Sequence, residues 1–126
     1  MIVLTGESGA GKRTLRDLAL TKYPDKFGAN DIVILNWDEI EKMNDYGIEM
    51  IIIYLFVDAK SRIEKMINNG ENPSDCILQE EKEKLEYKNI EDKIHFGIDN
   101  TGYHMSSEET LACLIGIIEE RDNEYI

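Results

Sequence analysis

Short apolar runs alternate with segments of helical periodicity along this chain of 126 residues. Three of the runs, Met1–Thr5, Asp31–Leu35 and Glu49–Val57, show no regular polar alternation. This pattern is typical of parallel strands that are covered on both faces. A fourth run, Lys93–Ile98, predicts a last strand, with His95 as a packed residue inside it.

Helical spacing fills the segments between these runs, and the last helix has the clearest apolar stripe. Its members are Leu111, Leu114, Ile115 and Ile118. Strands that alternate with helices predict right-handed βαβ units. We therefore expect one α/β domain over residues 1–126, a three-layer α/β/α sandwich with a mostly parallel sheet of about four or five strands.

The segment of about residues 68–92 differs from the other helices because it is charged on most sides. Asn72 and Pro73 are a typical N-cap and first helical residue. Its thin apolar face comprises Ile77, Leu78 and Leu85, with Ile90 as a further candidate. Such a helix is expected to lie exposed, in the manner of a lid.

Charge and cysteine usage narrow the class of protein. The 26 acidic and 14 basic residues give a net charge of −12, which disfavours binding to a nucleic-acid polymer. Cys76 and Cys113 lack the spacing of a metal site, so we expect reduced thiols in a cytoplasmic protein. We expect no membrane association, because no apolar run reaches the roughly 18 residues of a membrane span.

The segment Gly6-x-x-x-x-Gly11-Lys12 has the spacing of a phosphate-binding P-loop and lies between a predicted strand and a predicted helix. Glycines allow backbone N–H groups to point into a concave anion site, and a helix N-terminus adds its positive dipole end. Lys12 can then reach the terminal phosphates. The predicted nucleotide-binding residues are Gly6, Glu7, Ser8, Gly9, Ala10, Gly11, Lys12, Arg13 and Thr14. The alternative is a glycine turn that only joins strand to helix.

The loop sequence G-E-S-G-A-G-K-R-T-L resembles the guanylate kinase P-loop, typically G-P-S-G-x-G-K-x-T-L, with Glu7 in the proline position. The segment 51–72 looks like that family's central strand, following helix and start of the lid, and 95–111 looks like its final strand, Asn-containing turn and closing helix. The resemblance implies ATP or GTP with Mg²⁺ as cofactors and Lys12 as the catalytic residue on the phosphates. It also implies that Asn100 and Thr101 lie near the purine.

Two residues are candidates for contact with Mg²⁺. A Ser or Thr that binds Mg²⁺ normally follows the P-loop lysine, but Arg13 stands in that position and Thr14 follows it. The resemblance to nucleoside monophosphate kinases, where a Lys-x-Thr arrangement also occurs, implies that Thr14 reaches the α-phosphate while the metal is held mainly through water, and keeps Thr14 as a candidate metal contact. Asp38 comes soon after a predicted strand, as a metal carboxylate would, although a helix N-cap would look the same. Arg13 either adds charge near the phosphates or points into solvent.

The chain departs from the guanylate kinase pattern in its substrate-binding parts. About seven residues, Pro24 to Asn30, stand where the family inserts its GMP-binding lobe. Asn68 and Asn69, and then Gln79 to Glu81, occupy places where the resemblance implies lid arginines. Loss of one arginine clamp can cost about 10³–10⁵ in rate. Arg62 and Lys65 either compensate in part or form a solvated charged face.

These observations predict a guanylate-kinase-like phosphotransferase that transfers the terminal phosphate of ATP or GTP to a nucleotide. One alternative is a nucleotide-binding module, weak or inactive in turnover, with a structural or regulatory role. Another is a core whose substrate-binding part comes from a second subunit, which leaves a homo-oligomer open.

Overall fold

The computed structural model describes residues 1–124 and, within them, places one parallel sheet between two layers of helices. The strands are β1 (Ile2–Thr5), β2 (Ile32–Ile34), β3 (Ile51–Phe56) and β4 (Phe96–Asp99). The helices are α1 (Lys12–Lys22), α2 (Trp37–Asp45), α3 (Ala59–Asn68), α4 (Pro73–Glu86) and α5 (Ser107–Glu124), with a 3₁₀ turn at Thr101–Tyr103.

The strand order is β2-β1-β3-β4, and each neighbouring pair runs parallel. Val3 of β1 is in register with Val33 on one side and Ile52 on the other, so β1 and β3 are the central strands. This sheet confirms the predicted α/β three-layer sandwich. All carboxyl ends of the strands lie at one edge, where ligands bind in open α/β sheets.

The larger core lies between the sheet and the helices α1 and α5. Leu4, Ile53 and Leu114 are fully buried there. The predicted stripe of the last helix is confirmed, since Leu111, Leu114, Ile115 and Ile118 are all buried in this core. Apolar burial of this kind is the main force that holds α5 to the sheet.

A smaller core covers the opposite face of the sheet. Its buried members are Val3, Trp37, Ile40, Ile52, Tyr87 and Ile90. Trp37 fills this core, and its Nε1–H donates a hydrogen bond to Glu41 Oε1 at 2.9 Å. Tyr87 directly follows α4, so this core also anchors the end of that helix.

Local capping signals are borne out where the sequence places them. Asp58 caps α3 by accepting a hydrogen bond from the Ser61 N–H at 3.2 Å. Asn72 caps α4 with Pro73 at the first helical position, and Ser106 with Glu109 forms a capping box before α5.

One expectation about burial is wrong, that of a packed His95 inside a strand. His95 lies just before β4 and is exposed, and its Nδ1 accepts a hydrogen bond from the Ile52 N–H at 2.9 Å. In α4, the apolar residues Ile77, Leu78 and Leu85 are 51%, 64% and 75% exposed. The helix instead buries Cys76 and Glu83, because the carboxylate of Glu83 finds hydrogen-bond donors on the glycine loop.

Among residues 1–124, no helix combines the length and apolar character needed to cross a bilayer. Both cysteines in this part of the chain are free thiols, Cys76 buried and Cys113 exposed.

Candidate phosphate-binding site

The glycine loop leaves β1 at the carboxyl edge of the sheet and enters α1 at Lys12. Its backbone requires glycine at its first residue: Gly6 has φ +150°, and a Cβ there would lie 2.4 Å from the Leu55 carbonyl oxygen. Gly9 and Gly11 also have positive φ values, 86° and 95°. A connecting turn with free choice of residue would not show this close approach.

The start of α1 is open to an anion. Its N-cap is Gly11, which has no side chain to accept a hydrogen bond from the first helical N–H groups. These groups and the positive end of the helix dipole favour a negatively charged ligand.

Lys12 is folded back onto its own loop. Its Nζ donates hydrogen bonds to the carbonyl oxygens of Gly6 and Glu7. Burial lowers the pKa of this ammonium group, while the carboxylates of Glu83 and Glu7 act in the opposite direction. The lysine therefore supplies a positive charge inside the loop without an anionic oxygen in direct contact.

Glu7 is buried, with only 6% of its surface exposed. The Tyr54 hydroxyl donates to its Oε1, and Arg62 Nη2 lies 3.7 Å from its Oε2. Burial raises the pKa of Glu7, whereas the hydrogen bond from Tyr54 and the charge of Arg62 oppose that rise. Burial likewise raises the pKa of Tyr54, so this hydroxyl keeps its proton and remains a donor.

Arg62 is not part of a solvated face, since only 2% of its surface is exposed. Its Nε donates to the Val57 carbonyl at 2.7 Å, and its Nη1 lies 2.6 Å from Glu80 Oε2. Lys65 is exposed, and its Nζ lies 4.8 Å from the centre of the Tyr103 ring. Arg62 thus connects the loop region to α4, which the charged-face interpretation did not predict.

The polar side of α4 contacts the glycine loop directly. The Ser8 N–H donates to both carboxylate oxygens of Glu83 at 3.0 Å, and the Ser8 hydroxyl donates to Oε2 at 3.1 Å. The Tyr87 hydroxyl donates to the Gly6 carbonyl at 3.0 Å, and burial raises its pKa to about 12. A carboxylate therefore sits on a loop whose spacing is typical of phosphate binding.

A cavity of about 510 Å³ adjoins the other side of the loop. Ala10, Gly11, Thr14, Lys65, Asn100 and Tyr103 are among its lining residues. Asn100 is buried, and its side chain holds the turn before α5: Oδ1 accepts from the Met105 N–H at 2.8 Å. The cavity falls within the usual volume of small-ligand sites, about 300–1,000 Å³.

The two predicted metal ligands are not brought together. Thr14 lines the cavity, whereas Asp38 does not. Asp38 is an exposed residue in the first turn of α2, and its N–H donates to Glu86 Oε1 at 3.3 Å. The N-cap interpretation of Asp38 is wrong because Asn36 caps this helix. Within the described part of the chain, no group of three or more His, Cys, Asp or Glu residues is arranged to hold a metal ion.

Arg13 follows Lys12 on the first turn of α1 and is exposed.

No protein-family model matches this chain, and none of the curated proteins compared with it is similar in sequence. The loop, the cavity and α4 are therefore the features from which a function can be inferred.

The pattern of residues contained one signal for the contact between α4 and the loop. Cys76, Glu80, Glu83 and Tyr87 are spaced at i, i+4, i+7 and i+11, which places them on one helical stripe. This stripe includes two carboxylates, so apolar periodicity alone selected the opposite, exposed side of the helix. Glu83 was missed as a site residue for this reason.

Proposed function

We propose that this chain binds a nucleoside triphosphate, ATP or GTP, with Mg²⁺ and transfers its terminal phosphate to a nucleotide, as guanylate kinases do. The observation that supports this proposal most strongly is the loop from Gly6 to Lys12. It combines the P-loop spacing, glycines at positive φ and an uncapped helix start at the carboxyl edge of a parallel sheet.

Each part of the loop has a separate task in this proposal. The N–H groups of the loop, from Ser8 to the start of α1, bind phosphate oxygens, as glycine-loop backbones and helix N-termini do. Lys12 turns from the carbonyls of Gly6 and Glu7 toward the β- and γ-phosphates, where its charge stabilises the transferring group. Phosphoryl transfer needs little covalent chemistry from the protein, so positioning by these groups is the main contribution.

The cavity of about 510 Å³ is the place proposed for the base and ribose. It begins at Gly11 and Thr14 of the loop and extends to Asn100 and Tyr103. Asn100 acts there by fixing the turn rather than with a free amide, since both ends of its amide contact Met105. The backbone of this turn is then the surface offered to a purine.

The oxygen donors present are of the kind that Mg²⁺ accepts. Mg²⁺ in nucleotide sites is held by one or two carboxylates together with substrate phosphates and water. Thr14 is exposed and lines the cavity, so its hydroxyl is accessible there, whereas Asp38 lies outside the cavity lining. When bound, the ion would neutralise charge on the phosphates.

A second candidate function is nucleotide binding with weak or absent turnover. The observation that favours it is the charge of α4, which faces the loop region with Glu80 and Glu83. Of these, Glu80 lies in the stretch Gln79 to Glu81, where the resemblance implies a lid arginine. The link from α1 to β2 is also short, running only from Tyr23 to Asp31. An acceptor nucleotide then depends on residues outside this link, including those of a second subunit.

Calorimetric titration with MgATP and MgGTP tests the proposal on the native chain and on Lys12→Ala. Lys60→Ala is the matched control, because Lys60 is an exposed lysine of α3 that does not line the cavity. We expect Lys12→Ala to lose binding and Lys60→Ala to retain it. Equal affinity in the native chain and Lys12→Ala, or no binding at all, would contradict the proposal.

A coupled assay with GMP and AMP separates the two candidates. Turnover that is lost in Lys12→Ala supports the phosphotransferase, while lysine-dependent binding without turnover supports the module. Specific activity that rises with protein concentration would indicate that a second subunit completes the acceptor site.

A further inference from the structure

The carboxylate of Glu83 occupies the same loop that the proposed function assigns to phosphate. It accepts two hydrogen bonds from the Ser8 N–H and one from the Ser8 hydroxyl, all within 3.1 Å. A carboxylate and a phosphate are both anionic groups with oxygen acceptors, so they compete for the same N–H donors.

Burial of Glu83 cannot be explained by packing of α4 alone. Only 6% of its surface is exposed, although the same helix leaves Leu78 and Leu85 mostly in solvent. A charged group is withdrawn from water at a large cost unless it is hydrogen-bonded or paired. Ser8 supplies those hydrogen bonds, so the anion-binding capacity of the loop determines which side of α4 faces inward.

Two further contacts fasten α4 over the loop. Glu80 is paired with the buried Arg62 at 2.6 Å, and the Tyr87 hydroxyl donates to the Gly6 carbonyl at 3.0 Å. Among the residues that the structure describes, no buried side-chain nitrogen or oxygen lacks a hydrogen-bond partner. The closed arrangement is thus internally satisfied without any ligand.

The charges of the closed site oppose a polyphosphate. Lys12 and Arg62 are accompanied by four carboxylates, of which Glu7 belongs to the loop. The other three, Glu80, Glu83 and Glu86, belong to α4. When α4 moves away, the two cations remain with a single carboxylate, so the sign of the local charge changes from negative to positive.

We propose that α4 is an acidic lid that occupies its own phosphate site, and that a polyphosphate binds only after Glu83 has left Ser8. This inference rests on the proposed function, because it takes the loop as the polyphosphate site. The apparent affinity is then reduced by the fraction of molecules in which α4 is open.

Glu83→Gln tests the lid because it keeps the size of the side chain and removes its charge. A hydrogen bond to a charged group contributes about 1.5–3 kcal/mol and a neutral one about 0.5–1.5 kcal/mol, so replacing the carboxylate by an amide weakens the contact with Ser8 by about 1–1.5 kcal/mol. We therefore expect Glu83→Gln to bind MgATP and inorganic tripolyphosphate roughly 5- to 13-fold more tightly than the native chain. The affinity for both probes should increase by a similar factor, because the lid covers the phosphates and not the base.

Glu81→Gln is the matched control, since Glu81 is an exposed residue of the same helix and the net charge changes equally. Its affinity should stay within about twofold of the native value, because exposed charges at a distance are screened by salt. Tyr87→Phe is a second variant that leaves Glu83 intact and removes the hydroxyl that donates to Gly6. It should also bind both probes more tightly, by a smaller factor. Unchanged affinity in Glu83→Gln and Tyr87→Phe would overturn the inference.

Hydrogen exchange of the Ser8 amide distinguishes failure of the lid from failure of the proposed function. Without any ligand, this amide should exchange faster in Glu83→Gln than in Glu81→Gln, because its carboxylate acceptor has been weakened. Equal exchange would overturn the inference even if nucleotide binds. Faster exchange with no polyphosphate binding in any variant would overturn the proposed function and, with it, the competition between carboxylate and phosphate.

Discussion

Helices α4 and α5 contact the rest of the molecule in opposite ways. In α5 the apolar stripe is buried, and Leu111 and Leu114 are 3% and 0% exposed. In α4 the apolar residues Leu78 and Leu85 lie in solvent, while Glu83 is buried on the glycine loop. The last helix has a continuous apolar stripe and packs it against an apolar sheet, whereas α4 is charged on most sides and places a carboxylate against backbone donors.

This comparison shows why apolar periodicity predicts one helix and fails for the other. Burial of apolar area is non-directional and needs only a complementary apolar surface. A carboxylate that meets preorganised N–H donors gains directional hydrogen bonds, which are stronger when one partner is charged. The orientation of α4 therefore depends on the loop that it covers.

The largest expected effect concerns the ion pairs that join α4 to the loop. Arg62→Met leaves Glu7 and Glu80 without their cation in a buried setting. Removal of one partner from a buried ion pair costs about 3–5 kcal/mol, and urea unfolding measures this loss in the free energy of unfolding. Lys65→Met is the control, because Lys65 is exposed. A loss in Arg62→Met no greater than that of the control would show that α4 is not held by polar contacts.

The next largest effect compares the loss of a buried leucine in α5 with the loss of an exposed leucine in α4. Leu114→Ala in α5 removes a fully buried side chain and should lower the free energy of unfolding by about 2–5 kcal/mol. Leu85→Ala in α4 removes a side chain that is 75% exposed and should change stability by no more than about 0.5 kcal/mol. Equal losses in urea unfolding would mean that α4 also packs through its apolar side.

The smallest effect is a pH dependence that originates at Glu7. Burial raises the pKa of this carboxyl above its ordinary value of 4.5, so the folded protein retains the proton to a higher pH than the unfolded chain does. This proton therefore stabilises the folded protein at pH values below the pKa that Glu7 has in the unfolded chain. The stabilisation is lost as the pH rises through the pKa that Glu7 has in the folded protein. Glu7→Gln should remove this loss, so the variant should gain stability relative to the native chain as the pH rises above 4.5.

Urea unfolding at a series of pH values between 4 and 8 would measure that difference, with Glu81→Gln as the control. Asp58, Asp99 and Glu108 have lowered pKa values, so their titration changes stability with pH in the direction opposite to that of Glu7. Their contribution cancels when the free energy of unfolding of the variant is subtracted from that of the native chain. The raised pKa of Glu7 would be contradicted if this difference in the free energy of unfolding stayed constant with pH, or if it favoured the native chain at higher pH.

Much of the fold could be predicted because its signals are local. The β-branched runs gave the central strands, and caps such as Asp58 and Asn72 fixed where helices begin. The ends of the elements were predicted less accurately, since the run Lys93–Ile98 forms a strand only from Phe96 to Asp99. The short parallel pairing with β3 begins after His95, whose ring nitrogen takes the place of a backbone acceptor for Ile52.

The candidate site was predictable only in its glycine loop. Spacing placed Gly6, Gly11 and Lys12 between strand and helix, and their backbone geometry agrees with that expectation. The contacts of Arg62 and Glu83 depend on how α3 and α4 return to the loop across long stretches of sequence. Local spacing does not indicate which distant segments come into contact. Charged residues that are expected on a solvated face can therefore be buried.

Amide spectra of the ¹⁵N-labelled native chain, recorded during a titration with MgATP, test the central claim most directly. The account predicts shifts at Ser8 and the following loop amides through Lys12, together with faster hydrogen exchange along α4 as Glu83 is displaced. Shifts confined to residues away from this loop, or a saturating titration that leaves Ser8 unchanged, would contradict the assignment of the loop as a polyphosphate site covered by α4.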